Sequence, residues 1–205
     1  MTTTTPTPGT TAPSTVTDAD RAYVRGLYPE LEGIRDAGLA AAVVDIWVET
    51  WKASSWKRIE DAPKNPETVE LRHSLVTHTR AVTLHGIALA KTIGELHGLP
   101  ADLDLVIAGC NLHDVSKLVE YAPQAAGPAS KSKFGKLVQH ASFGVHKALE
   151  HGLSLELVHI IGSHTTQSRL APATLEAVIV YYADYADSDA LMLEAGHKLL
   201  LSAAR

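Results

Sequence analysis

Five features of this sequence have residue types suited to metal chemistry: His78, the adjacent pair His113-Asp114, His140, His164 and Asp184. Imidazole and carboxylate together make a mixed nitrogen and oxygen donor set, the kind that holds first-row transition metals. Asp184 follows the apolar run Ala177–Ala183, so its helix is expected to be buried. An ionised carboxylate there is costly unless it meets a cation or a paired group. His113 and Asp114 are neighbours and leave a helix end in different directions. That divergence lets the carboxylate bridge two ions while the imidazole serves one. The five features lie too far apart in the chain for any single helix to gather them. A helical bundle that points each one inward can do so.

The elements required for that are legible as mostly helical patterning. Ala and Leu are abundant, and alternating β-branched runs are scarce. Leu39–Trp56 places Val43, Ile46, Trp47 and Trp51 at helical spacing. Asn65-Pro66 reads as a cap followed by a first-turn proline, opening a long helix that ends near His97-Gly98. Pro100 opens the next, which runs to His113. Residues 121–133 are rich in Pro, Gly and Ser and read as a loop. Further helices are expected over Phe134–Glu150, Ser154–Ser163, Pro172–Asp189 and Leu191–Ala203. Residues 1–17 hold nine Thr, three Pro and no charge, so they are expected to form a disordered tail. The chain thus divides into a tail (1–17), an accessory helical segment (18–65) and a principal all-α domain (66–205).

Composition narrows the function classes. A net charge of −5 argues against broad nucleic-acid binding, which leaves a basic footprint. No apolar run reaches the ~18–20 residues of a membrane span, and no secretory leader is visible at the N-terminus. The lone cysteine, Cys110, excludes an internal disulfide and suggests a cytoplasmic setting. It lies in the small, apolar stretch Ile107–Asn111 and reads as a packed residue, not a nucleophile. No phosphate-cradling glycine loop is present.

The ordered set resembles the HD-domain metal-dependent phosphohydrolases. The matching segments are His78-Thr-Arg-Ala-Val82, Leu112-His113-Asp114-Val-Ser-Lys117, His140-Ala-Ser-Phe-Gly144, Ser163-His164-Thr-Thr166 and Tyr182-Ala-Asp184-Tyr185. The likeness runs from about Leu71 to Ala190. It implies an HD helical bundle, here with an N-terminal helical extension. It also implies two divalent transition-metal ions (Fe, Mn, Co or Ni). One would be held by His78, His113, Asp114 and Asp184, the other by Asp114, His140 and His164. His85 competes with His78, seven residues on and along nearly the same face. The two lie about 10.5 Å apart along the axis, so both cannot serve one ion. His78 is preferred because it starts the family's His-x-x-x-Val motif. His73 and His159 are weaker rivals, and His97, His146, His151 and His197 read as helix-end or surface residues.

The implied reaction is hydrolysis of a phosphoester or phosphoanhydride by a metal-bridging hydroxide. Asp114 would orient the nucleophile, and Lys117 would meet the phosphoryl oxygens. Lys131 and Lys133, with Lys136, would hold more distal phosphates of a small, nucleotide-type substrate. His164-Thr-Thr and Ala-Asp184-Tyr are locally similar to the symmetrical diadenosine tetraphosphate hydrolases, although Gln167 stands where those enzymes tend to have glycine. The three tryptophans ahead of residue 66 are expected to shape specificity, or to support a homodimer. Two other functions share these ligands: a mixed-valent di-iron oxygenase on the same scaffold, and a nucleotide-binding module without turnover.

Overall fold

A computed structural model describes residues 15–66 and 73–200. The expected tail falls largely on residues 1–14, outside the described residues. Nine α-helices are described: α1 (Asp18–Leu27), α2 (Ala37–Ala53), α3 (Leu75–His97), α4 (Leu103–Leu112), α5 (Lys117–Glu120), α6 (Lys133–Leu137), α7 (Ser142–Glu150), α8 (Leu155–Ser163) and α9 (Leu175–Glu194). One small antiparallel ribbon, β1 (Tyr121–Ala122) with β2 (Ser130–Lys131), lies inside the stretch expected to be loop.

Local chemistry sets the helix starts. Thr17 and Asp20 form a reciprocal capping box on α1. The side chains of Asp36, Ser74, Asp102, Ser154 and Thr174 accept from backbone N–H groups at the starts of α2, α3, α4, α8 and α9. Helix α3 ends at Gly98 in the left-handed region, φ 68°.

Several expected boundaries are corrected. Asn65-Pro66 is not the start of α3, which begins at Leu75 with Ser74 as its cap. Pro100 likewise precedes the true cap, Asp102. The single helix expected over Phe134–Glu150 is two, α6 and α7, parted where Val138 turns extended. No separate helix begins at Leu191: α9 continues to Glu194 and stops ahead of Gly196, φ 73°. The rest of that expected helix falls partly on residues 201–205, outside the described residues.

Helix α4 is the centre of the bundle. It packs on α2, α3, α8 and α9, and all but its first and third residues are buried. The accessory segment joins the same core: Trp47 of α2 is fully buried and its indole donates to Asn111 Oδ1 of α4 at 2.6 Å. One apolar cluster therefore runs from Val24 to Ala183.

Glycine allows a close approach of α3 to α4. A Cβ at Gly86 of α3 would stand 2.5 Å from Cys110 Sγ of α4. Gly86→Ala is expected to cost about 1–3 kcal/mol of stability by overpacking. Adding Cys110→Ala should return part of that loss in denaturant unfolding; strictly additive costs would refute the contact.

Candidate metal centre

Each expected ligand comes from a different place in the bundle. His78 lies in the first turns of α3. His113 caps the end of α4, and Asp114 follows in the turn that leads into α5. His140 occupies the break between α6 and α7, His164 caps the end of α8, and Asp184 sits inside α9. All six side chains are buried and converge.

The distances divide them into two groups around Asp114. Its Oδ2 faces His78 Nε2 at 3.3 Å and His113 Nε2 at 3.6 Å. Its Oδ1 faces His140 Nε2 at 2.7 Å and His164 Nε2 at 3.6 Å. Asp184 Oδ1 joins the first group, 3.2 Å from His78 Nε2 and 3.8 Å from His113 Nε2. The clusters His78-His113-Asp114 and Asp114-His140-His164 each bring their donor atoms within 4.8 Å of one another. One carboxylate oxygen per cluster is the arrangement a bridging ligand requires.

The outer nitrogens of the imidazoles decide what the inner ones want. His78 Nδ1 donates to Asp187 at 2.6 Å, and His140 Nδ1 donates to Glu120 at 2.6 Å. His113 Nδ1 donates to the Cys110 carbonyl at 2.6 Å, and His164 Nδ1 to the Ile161 carbonyl at 2.7 Å. With all four Nδ1 atoms bonded outward, the four Nε2 atoms face inward, and each offers a lone pair once it is deprotonated. Four imidazole nitrogens and two carboxylates in one buried space call for cationic charge, so the donor set fits transition-metal ions.

Protonation follows the same logic. Burial opposes charge on His78, yet its bonds to Asp114, Asp184 and Asp187 outweigh it and hold the pKa up at about 9. Burial pushes His113 down to about 4. Burial opposes ionisation of Asp114 as well, but Lys117 and the surrounding imidazoles hold its carboxyl well below the usual range. Asp184 is also held down, against burial, chiefly by His78.

A family model for the HD domain matches residues 75–189. The chain belongs to the HD-domain family. Its HD domain thus spans α3 to most of α9, and α1 and α2 lie ahead of the match. A curated relative is the dihydroneopterin 2′,3′-cyclic phosphate phosphodiesterase of Methanocaldococcus jannaschii, 30% identical over 135 residues. The match covers 63% of this chain and 53% of that protein, so the chain spans about half of the relative's length. No solved structure gives a significant match.

A cavity of about 220 Å³ opens onto the HD cluster. Asp114, His140, His164 and Asp184 form its polar floor, and Thr165, Thr166 and Gln167 extend one wall. Lys117 also lines it, with Nζ 3.7 Å from Asp114 Oδ2. Lys131 reaches the rim, 3.7 Å from Glu120. Lys133 does not line the cavity; it starts α6 with its side chain exposed. Lys136 is exposed on the same helix.

Among the described residues the remaining histidines belong to neither cluster. His85 is exposed on α3. His159 accepts from the Ala173 backbone, and His151 pairs with Glu49. Of the tryptophans, only Trp56 comes near the cavity: its indole donates to the carbonyl of Tyr121, a lining residue. Trp51 packs against Tyr23.

Sequence reasoning missed Glu120, Asp187, Lys64 and Ser188. Glu120 and Asp187 each follow a motif residue by three, Lys117 and Asp184, which is the one signal that places them on the same side of a helix. Glu120 is fixed by α6: its carbonyl accepts from Ser132 N at 2.8 Å, and a Cβ at Gly135 would meet that same oxygen at 2.3 Å. Glu120→Ala should weaken metal binding at the His140 cluster by roughly 10–100-fold while sparing the His78 cluster. A metal titration that shows binding at both clusters weakened equally, or at neither, would refute this role.

Proposed function

We propose that this chain is a metal-dependent phosphohydrolase acting on a phosphorylated small molecule. The observation that supports the reading is the set of four inward Nε2 atoms gathered around the two carboxylate oxygens of Asp114. His78, His113, Asp114 and Asp184 would hold one divalent ion, and Asp114, His140 and His164 a second. Imidazole and carboxylate donors suit Fe, Mn, Co or Ni. When bound, the two ions supply an ionised water at neutral pH and neutralise charge on the phosphoryl oxygens.

The chain's own groups do the rest. Asp114 sets the spacing of the two clusters and orients the attacking water. Lys117 is half-buried beside Asp114, which outweighs the desolvation to keep its ammonium charged. That cation faces the oxygens of a phosphate entering the cavity. The cavity holds the reacting phosphate and the atoms next to it; the rest of a nucleotide-sized molecule extends through the mouth. Lys131 at the rim is placed to meet a distal anionic group.

The relative's name makes a 2′,3′-cyclic phosphate the first substrate to try. Water adds to phosphorus, one P–O ester bond breaks, and the departing oxygen takes a proton to give a phosphomonoester. Diadenosine polyphosphates and simple nucleotides complete the panel. The test is product release without oxygen by the metal-loaded protein. Release supports the hydrolase. Oxygen uptake with no phosphorus product would support a di-iron oxygenase. Tight nucleotide binding without turnover would support a binding module.

A further inference from the structure

The segment ahead of the HD match delivers a lysine into the cavity. Pro63 pairs with Ser74 in an antiparallel bridge, Lys64 N donates to the His73 carbonyl at 3.3 Å, and Leu75 N donates to the Ala62 carbonyl at 2.8 Å. These bonds fasten residues 62–64 to the start of α3, the helix that carries His78. The Lys64 side chain is 13% exposed and lines the cavity. Its ammonium donates to Ser188 Oγ at 2.6 Å and stands 3.8 Å from Asp187 Oδ2, beyond hydrogen-bond range. Ser188 in turn donates to Asp184 at 3.0 Å.

Among the described residues, Lys64 therefore spends one of its three N–H donors on a neutral hydroxyl. Among the described residues its other two donors meet no second acceptor within hydrogen-bond range. Lys117 lines the same cavity from α5, its side chain likewise 13% exposed. Two half-buried ammonium groups around one polar cavity are an anion-binding arrangement, since each can take a further acceptor from a molecule in the cavity.

We propose that Lys64 is a second anchor for the substrate's phosphate, working with Lys117 and supplied from outside the HD match. The proposal rests on the phosphohydrolase reading and deepens it. It gives the site a preference for the doubly charged phosphate monoester over the singly charged diester, because a second cation acts more strongly on a dianion. A cyclic diester would then be opened to a product that the site holds more tightly than its substrate.

The test uses the full metal-loaded chain and inorganic phosphate as the probe, followed by titration calorimetry. Lys64→Gln should weaken phosphate binding by roughly 10–100-fold, the effect of one charge-assisted hydrogen bond, with metal content unchanged. On 2′,3′-cyclic AMP, product inhibition by the monoester should fall more than KM for the diester rises. A purely scaffolding Lys64 gives another pattern: Lys64→Gln leaves phosphate affinity unchanged, or metal content falls with phosphate affinity. Either result overturns the proposal. Independently of how Lys64→Gln folds, phosphate should shield Lys64 from amine acylation in the wild-type protein, and equal labelling with and without phosphate overturns it too. A wild-type protein that binds phosphate through Lys64 yet cleaves no phosphoester would sink the hydrolase reading alone. A metal-loaded protein that does not bind phosphate would sink both.

Discussion

Asp114→Ala is expected to lower phosphoester hydrolysis by at least roughly 10³-fold and to empty both metal positions together. The two carboxylate oxygens face different histidine pairs, His78 with His113 and His140 with His164. Among the described residues no other side chain is common to the two clusters. Removing Asp114 leaves His78 and His113 with Asp184 on one side and His140 and His164 alone on the other, each short of the ligand they share, and several kcal/mol of transition-state stabilisation leaves with the ions. Elemental analysis and a phosphate-release assay on one preparation check both effects. Full activity, or an unchanged metal content, would reject the bridging role. His85→Ala is the matched control: His85 is exposed on the same helix as His78 and should leave metal content near normal.

Stripping the ions should lower the melting temperature by roughly 10 °C. An ion present at about 1,000 times its Kd stabilises by about 4 kcal/mol, and a domain of this size shifts about 2–4 °C per kcal/mol. The gap should also widen with pH. In the metal-free protein a proton on His78 substitutes for the missing charge, which is why its pKa stands at about 9 against an ordinary 6.5. A folded-state pKa above the unfolded value gives stability that is complete below pH 6.5 and disappears as pH rises through about 9. In the loaded protein the inward His78 nitrogen is deprotonated and no such loss occurs. Melting curves with and without chelator at pH 6.5 and 9 test this. A gap that narrows with rising pH would contradict it.

The residues that converge around Asp114 were legible because their cost is local. A carboxylate within the apolar helix α9, and a histidine next to an aspartate at a helix end, are anomalies that one stretch of sequence exposes. Glu120 and Asp187 carry equally short hydrogen bonds, to His140 and His78, but a carboxylate three residues after a motif position looks like an ordinary exposed charge until the bundle closes over it. The break between α6 and α7 was hidden for a related reason. The helical pattern continues through it, and the turn is imposed by His140 reaching Asp114 and Glu120, contacts made across 26 and 20 residues. Asn65-Pro66 imitated a helix cap because both residue types suit one, while the segment is held instead by backbone pairing with residues 73–75. That pairing is what carries Lys64 into the cavity, and no local pattern announces it. Trp47 and the rest of α2 were legible as an amphipathic helix, but their burial against α4 required the fold.

The most direct measurement is elemental analysis of the full chain purified without oxygen or chelator. About two transition-metal ions per chain is the expected content, with Asp114 shared between them. A chain that holds no metal as purified, and takes up none on reconstitution with Fe, Mn, Co or Ni, would contradict the metal centre and every step of the chemistry built on it.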